Sequence, residues 1–369
     1  MYKYTHLIKE NIAPVGAKSI GIYNENGKRV GGFGLARLKP PTENKLYSFL
    51  AISDVHIQVS ESKYKTAEAD FRGALGYAEN HCDFTCICGD LTSEGTEAEL
   101  NKYKGIVDEV ASKPVYAMAG NHETWHGIYA TDDNIKPYTG YPLYYTVSNA
   151  PTDEVKRNYY NGTVGEDIFI FVGYYGAFHD YNKWNVGEFI STEEIQWLYE
   201  TLEANREKRC FVFIHPFPQG HGVGNANNLY TNVITWQVTD GGTGQALINL
   251  LRHYKNTIVF HGHSHLRFWM QELESTANYS GANGYRSVHI PSLAVPRDVV
   301  NGSVSQITEE SEGYIVDVYE DCIVLNGRDF IDNDKDGHIL PIATYKIDTT
   351  LKTVEANTFT DSTGTIKIN

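Results

Sequence analysis

The sequence has no long apolar run. No stretch approaches the roughly 18 consecutive apolar residues that a membrane-spanning helix requires, and no signal-peptide core follows Met1. We therefore predict a protein without a membrane anchor. We expect it to be cytoplasmic if Met1 is the native start, and extracellular if an export signal has been removed.

Basic residues are few. The chain carries 31 Lys and Arg against 46 Asp and Glu, and its formal net charge is -15. This balance excludes nucleic-acid binding through a basic patch. An acidic protein that handles an anionic substrate needs a local positive centre, which bound metal ions supply.

Cysteines are also few. The sequence has five, and Cys86 and Cys88 are separated by one residue rather than by the two-residue spacer of zinc or redox pairs. Three of the five lie inside apolar runs, which is typical of small buried side chains. We predict neither a disulfide nor a cysteine-bound metal.

Short apolar runs recur along the chain instead. With 369 residues and 41% hydrophobic content, the chain can bury a large core. Five runs rich in apolar residues stop abruptly at polar residues, which is the pattern of buried strands. They are residues 49–52, 84–88, 115–119, 211–214 and 257–260.

Helical patterns separate most of these runs. Apolar spacing predicts a helix over about residues 64–81. A capping box at Thr96–Glu99 starts a second helix, the same signature at residues 191–194 starts a third, and a fourth is predicted over residues 243–254. The alternation of strand and helix predicts parallel βαβ steps and an α/β fold.

The two ends of the chain have a different pattern. We predict an N-terminal β extension over residues 1–45, a main domain over residues 46–330 and a C-terminal β tail over residues 331–369. Helical periodicity vanishes beyond residue 285, and the strands expected there would form a second sheet closing a sandwich. Residues 332–337 begin like a calcium loop, but Ala343 occupies the twelfth position, so we favour an acidic turn.

Side chains of metal-ligand type follow all five apolar runs. Because loops at the carboxyl ends of parallel strands converge on one crevice, we expect these side chains to meet there. Carboxylate, amide and imidazole groups together suit two divalent or trivalent metal ions, with Fe, Mn and Zn as the leading candidates. The residues are Asp54, His56, Asp90, Asn121, His122, His215, His263 and His265.

Each motif taken alone has a structural alternative. A strand-terminal Asp is often a helix N-cap, and Gly-Asn-His-Glu can be a simple turn. The occurrence of all five motifs in this order, each after an apolar strand, favours a metal site in which Asp90 is shared by both ions.

The motifs resemble the ordered signature of the calcineurin-like metallophosphoesterase superfamily: Asp-X-His, Gly-Asp, Gly-Asn-His-Asp/Glu, a later His, and Gly-His-X-His. The resemblance covers about residues 46–300 and implies a four-layer αββα sandwich with mixed sheets. It implies that one metal is held by Asp54, His56, Asp90 and His265, and the other by Asp90, Asn121, His215 and His263. It leaves His122 free of metal.

The resemblance also implies a reaction. Two metal ions polarise a phosphoryl group, and a bridging hydroxide attacks it, so we expect hydrolysis of small phosphomonoesters or phosphodiesters. His122 would stabilise developing charge or protonate the leaving oxygen; its alternative role is to orient a metal ligand. A non-catalytic binding scaffold is the alternative function.

Differences between this sequence and particular branches of the family narrow the range of expected substrates. The continuation after Gly89-Asp90 is similar to that of cyclic-nucleotide phosphodiesterases and acid phosphatases, and lacks the Val-Asp-Arg-Gly of protein phosphatases. Thr92 and Ser93 stand where purple acid phosphatases carry a tyrosine ligand. We assign no site role to His261, which we expect in the core or supporting a ligand. The loop residues His126, His179 and His221 could line the crevice or simply lie on the surface.

Overall fold

The structure is a computed structural model. It describes residues 19–23, 29–34, 44–60, 64–123, 159–173, 190, 192–216, 243–268, 279–280, 286–300, 303–306, 310–330, 338–348, 358–361 and 364–367. The acidic turn at residues 332–337 and the histidines at positions 126, 179 and 221 lie outside these residues.

The chain divides into two units, residues 1–43 and residues 44–369. In the smaller unit, β1 (Ser19–Tyr23) pairs antiparallel with β2 (Arg29–Gly34). This pairing is the β structure expected near the N-terminus. The three-part division of the chain stays a prediction.

The larger unit contains the remaining described elements. Its strands are β3 (Tyr47–Ile52), β4 (Phe84–Cys88), β5 (Val115–Met118), β6 (Tyr159–Val164), β7 (Asp167–Val172), β8 (Cys210–Ile214), β9 (Thr257–His261), β10 (Tyr279–Ser280), β11 (Arg286–His289), β12 (Arg297–Val300), β13 (Ser303–Gln306), β14 (Glu312–Val318), β15 (Cys322–Asp329), β16 (His338–Asp348), β17 (Thr358–Asp361) and β18 (Gly364–Lys367). Its helices are α1 (Ala67–His81), α2 (Glu97–Val110), α3 (Thr192–Ala204) and α4 (Thr243–His253).

Two six-stranded mixed sheets form the centre of this unit. The first has the order β16-β15-β14-β3-β4-β5, in which β3, β4 and β5 are parallel. The second has the order β10-β11-β9-β8-β7-β6, in which β7, β8, β9 and β11 are parallel. The predicted α/β fold with mixed sheets is confirmed.

The strands beyond residue 285 do not form the second sheet of the sandwich, so this part of the prediction is wrong: apart from the two-stranded sheets β12-β13 and β17-β18, they join both six-stranded sheets. β11 joins β9 in the second sheet, whereas β14 pairs antiparallel with β3 in the first. β15 and β16 then extend the first sheet outwards. An apolar pattern identifies these strands but carries no information on the edge to which each one adds.

Strand alternation divides the core into layers. On β3, Phe49 faces the other sheet, where its ring centroid lies 5.3 Å from that of Phe169 and 5.6 Å from that of Phe211. Its neighbour Leu50 faces the opposite way, into the cluster formed with α1 and α2. The corresponding outer face of the second sheet packs on α3 and α4. The order of layers is therefore helix, sheet, sheet, helix, as the family resemblance implies.

The helices follow their sequence signals. The apolar spacing that predicts α1 corresponds to its buried face, which contains Ala67, Phe71, Ala74, Leu75 and Ala78. The capping box at the start of α2 is confirmed, because Thr96 Oγ1 accepts a hydrogen bond from Glu99 N and the Glu99 side chain accepts one from Thr96 N. These helices carry the chain back for each parallel strand.

The cysteines are buried and none forms a disulfide. Burial raises the pKa of Cys86 and Cys88 well above the ordinary thiol value, so both stay protonated and act as small apolar side chains. Within the described residues, no helix combines the length and apolar character needed to cross a membrane.

Candidate metal centre

The predicted ligands follow strands of both sheets. β3, β4 and β5 of the first sheet lead into the loops of Asp54, Asp90 and Asn121, and β8 and β9 of the second lead to His215 and His263. These loops meet in space: Asp54 N donates to Gly89 O at 3.1 Å, and His263 N donates to Asp54 Oδ2 at 3.1 Å. The expected crevice is thus formed by loops from both six-stranded sheets.

Backbone strain marks the same loops. Among the described residues, the non-glycine residues with positive φ are Asp54 (54°), His56 (51°), Asp90 (50°), His263 (71°) and His265 (60°). All five are predicted metal ligands. L-residues rarely adopt this conformation, and it persists at functional sites where the surrounding structure enforces it.

The ligand atoms assemble into two groups that share Asp90. One group is Asp54, His56, Asp90 and His265, and the other is Asp90, His215 and His263. Within each group the candidate atoms lie within 4.8 Å of one another. His265 Nε2 lies 2.9 Å from Asp54 Oδ1, and His215 Nε2 lies 3.0 Å from Asp90 Oδ2.

Asn121 is placed by its two neighbours. Gly120 packs so closely on Asp90 that a Cβ there would lie 2.2 Å from Asp90 Oδ1. His122 N donates a hydrogen bond to the same Oδ1 at 3.0 Å. The buried Asn121 side chain therefore lies in a loop held against the residue common to both groups.

The His122 ring lies beside the two groups and belongs to neither of them. Its Nδ1 lies 2.5 Å from Ser93 O, a carbonyl that can only accept, so Nδ1 carries the proton. Its Nε2 lies 3.8 Å from Asp90 Oδ2. The ring thus presents Nε2 towards the centre.

The buried carboxylates and imidazoles of the two ligand groups influence one another's pKa. Burial opposes the charged form of His215, but the carboxylates of Asp90 and Asp54 raise its pKa to about 9. Burial also opposes the ionised form of Asp54, yet His265 and His215 hold its pKa below the ordinary value. Burial, together with the neighbouring His215, lowers the pKa of His263 to about 3. The carboxylates therefore stay ionised and attract positive charge.

The donor set fits metal ions. Asp54 Oδ1, Asp90 Oδ2 and His215 Nε2 are buried and, within the described part of the chain, form no hydrogen bond of acceptable geometry. Buried polar atoms without hydrogen bonds are costly unless something else binds them. Two carboxylates, an amide and imidazoles are suitable ligands for Fe, Mn or Zn.

Glu123 supports this centre and was given no role on sequence grounds. Its buried carboxylate accepts hydrogen bonds from Thr92 N (2.8 Å), Thr92 Oγ1 (2.9 Å) and Gly120 N (2.8 Å). It thereby joins the loop after β4 to the loop after β5. Burial and the nearby Asp90 raise the pKa of Glu123 to about 8. In the sequence, the feature that could have indicated this role is the position of Glu123 as the last residue of the Gly-Asn-His-Glu motif.

We expect Glu123→Ala to lower the free energy of unfolding by about 3 kcal/mol, because it leaves buried donors of Thr92 and Gly120 unpaired. Chemical denaturation monitored by circular dichroism measures this change. Glu109→Ala is the matched control: Glu109 lies on the surface of α2, and its loss should cost no more than about 0.5 kcal/mol. Equal stability of the two variants would contradict the supporting role of Glu123.

A second supporting contact lies between the two ligands after β9. Ser264 Oγ lies 2.6 Å from His289 Nε2 and accepts a hydrogen bond from Leu266 N at 3.2 Å. Both Ser264 and His289 are buried. The His261 ring packs 5.3 Å from that of His289 and belongs to neither ligand group, consistent with its expected place in the core.

This fold and this buried carboxylate–imidazole centre are those of a metallophosphoesterase domain. A family model described as calcineurin-like phosphoesterase matches residues 47–267, more than half of the chain. The protein therefore belongs to the calcineurin-like phosphoesterase family. A comparison with curated protein sequences gives no match.

Solved structures of similar fold include two phosphatases. A dimetal phosphatase from Danio rerio is 14% identical with a TM-score of 0.56, and the match covers 83% of this chain and 100% of that one. A purple acid phosphatase from yellow lupin (Lupinus luteus) seeds is 14% identical with a TM-score of 0.55, covering 82% of this chain and 53% of that one. At this identity the likeness concerns the fold.

Proposed function

We propose that the protein is a dinuclear metal-dependent hydrolase that cleaves phosphomonoesters or phosphodiesters. The observation that carries the proposal is the sharing of Asp90 between two compact groups of buried ligand-type side chains. Two neighbouring cation sites joined by one carboxylate suit an in-line displacement at phosphorus. The family membership and the dimetal phosphatase of similar fold support the same class of reaction.

Each residue has a role in this proposal. Asp54, His56, Asp90 and His265 would hold one metal ion, and Asp90, Asn121, His215 and His263 the other. The bound ions would supply positive charge to the phosphoryl oxygens and activate the attacking water. His122, fixed through Nδ1 to Ser93 O, presents Nε2 to stabilise the developing charge or to protonate the leaving oxygen.

Metal removal tests the proposal. We expect treatment with a chelator to abolish hydrolysis of p-nitrophenyl phosphate and its bis-ester, and readdition of Mn²⁺, Zn²⁺ or Fe²⁺ to restore it. Loss of the ions should also lower the Tm, because they bind the folded state preferentially. Release of p-nitrophenolate measures hydrolysis, elemental analysis measures the metal content, and differential scanning calorimetry measures the Tm.

A scaffold would behave differently in the same experiment. A protein that carries two ions per chain but hydrolyses neither ester, nor any of a panel of nucleotides and phospholipid head groups, would contradict the enzymatic proposal. Unchanged hydrolysis in protein shown by elemental analysis to lack metal would contradict the role of the ions.

A further inference from the structure

The chain places one arginine against the candidate metal centre. Arg297, the first residue of β12, donates its backbone N–H to His265 O at 2.7 Å. It accepts from Arg267 N at 3.1 Å, so its backbone runs beside the segment that follows the last predicted ligand. Its side chain is partly buried. Arg297 is therefore fixed at the edge of the site by the backbone of that segment.

The guanidinium lies within electrostatic range of the His265 ring. The positive charge of Arg297 acts on that imidazole. Backbone contact and side-chain charge thus place Arg297 beside the same ligand. Its charge has the sign that an anionic substrate requires.

Within the described part of the chain, Arg297 forms no ion pair with a carboxylate, unlike Arg267, Arg209 and Arg72. Arg267, which pairs with it through the backbone, forms an ion pair with Glu310. Arg209 forms a buried pair with Asp167, and Arg72 pairs with Glu68. In a protein with a net charge of -15, a partly buried guanidinium without a carboxylate is available to an external anion.

We propose that Arg297 binds the phosphoryl group of the substrate and favours phosphomonoesters over phosphodiesters. This inference rests on the proposed function. A guanidinium presents a planar fork of donors that matches two phosphoryl oxygens. A phosphomonoester has three non-bridging oxygens and up to two negative charges, whereas a diester has two such oxygens and one charge. A guanidinium beside the centre therefore interacts more strongly with a phosphomonoester than with a phosphodiester.

Binding of inorganic phosphate tests the contact without turnover. Isothermal titration calorimetry on the metal-loaded protein should show that Arg297→Gln weakens phosphate binding about 10–100-fold, the effect of losing a charged hydrogen-bond pair. Arg297→Lys should recover part of the affinity, because it keeps the charge and loses the fork. Arg286→Gln is the matched control, since Arg286 lies on β11 and donates to Lys255 O at 3.0 Å.

The proposal requires that all three variants keep the wild-type metal content. Unchanged phosphate affinity in Arg297→Gln would overturn it, and so would the absence of phosphate binding by the metal-loaded wild type. Loss of metal from Arg297→Gln would also overturn it, because the residue would then act by positioning His265.

Substrate preference tests the second half of the proposal. Arg297→Gln should lower kcat/KM for p-nitrophenyl phosphate at least about tenfold more than for the bis-ester. Equal losses on both esters would overturn the preference for monoesters. A wild type that binds phosphate but hydrolyses neither ester would contradict the proposed function, while the calorimetric comparison would still decide whether Arg297 contacts phosphate.

Discussion

Replacement of Asp90 by asparagine should abolish phosphoester hydrolysis and reduce the bound metal from two ions per chain to at most one. Asp90 is the residue common to both ligand groups. Asparagine has nearly the same shape and keeps an oxygen for the hydrogen bond from His122 N, so the fold should persist. Losing the several kcal/mol of charge stabilisation that two ions supply corresponds to about 10³-fold or more in kcat. Elemental analysis and initial rates measure both effects.

Asp83→Asn is the matched control for this substitution. Asp83 precedes the same strand, β4, at its opposite end, where its Oδ2 accepts a hydrogen bond from Ser48 N at 2.8 Å. Its side chain is exposed, so metal content should be unchanged and activity should stay within about twofold. An Asp90→Asn variant that keeps two ions and full turnover would refute the shared-ligand role.

Replacement of His122 by asparagine should lower kcat by about 10²–10⁴-fold and leave both metal ions bound. The asparagine amide can still donate to Ser93 O, as Nδ1 does, but nothing replaces Nε2. If His122 protonates the leaving oxygen, the loss should be larger for an alkyl phosphate than for p-nitrophenyl phosphate, whose leaving group needs no proton. Rates with both substrates and elemental analysis measure these effects.

His81→Asn is the control for His122. His81 ends α1, is exposed, and its Nδ1 lies 2.8 Å from Tyr77 O. We expect wild-type rates from this variant on both substrates. Loss of metal from the His122 variant would show instead that His122 is a ligand or orients one, and unaltered turnover would remove it from the catalytic machinery.

Local sequence was sufficient to predict the strands, the helices and the residues that follow them. Phe84–Cys88 is a short run that is largely apolar on both faces, which predicts a buried strand, and the residues that follow such a strand emerge at a sheet edge. The capping box at Thr96 and Glu99 is equally local, because its two residues are adjacent in one helical turn. Both predictions depend on residues close together in the chain.

Contacts between distant residues could not be predicted in this way. Glu123 and Thr92 are 31 positions apart, and Ser264 and His289 are 25 apart. Their pairing depends on which strand lies beside which and in what register. The pairing of β14 with β3 in the first sheet likewise depends on contacts between distant parts of the chain. Many registers satisfy the same apolar alternation, so only packing of the whole chain selects one.

The sequence by itself therefore determined the apolar strands and the order of side chains that could bind metal, because strand formation and ligand chemistry are properties of neighbouring residues. The tertiary structure alone decided that two sheets share the site, that Glu123 and His289 support it, and that Arg297 lies beside His265. The physical reason is that the free energy of these contacts is gained only when segments far apart in the chain pack together.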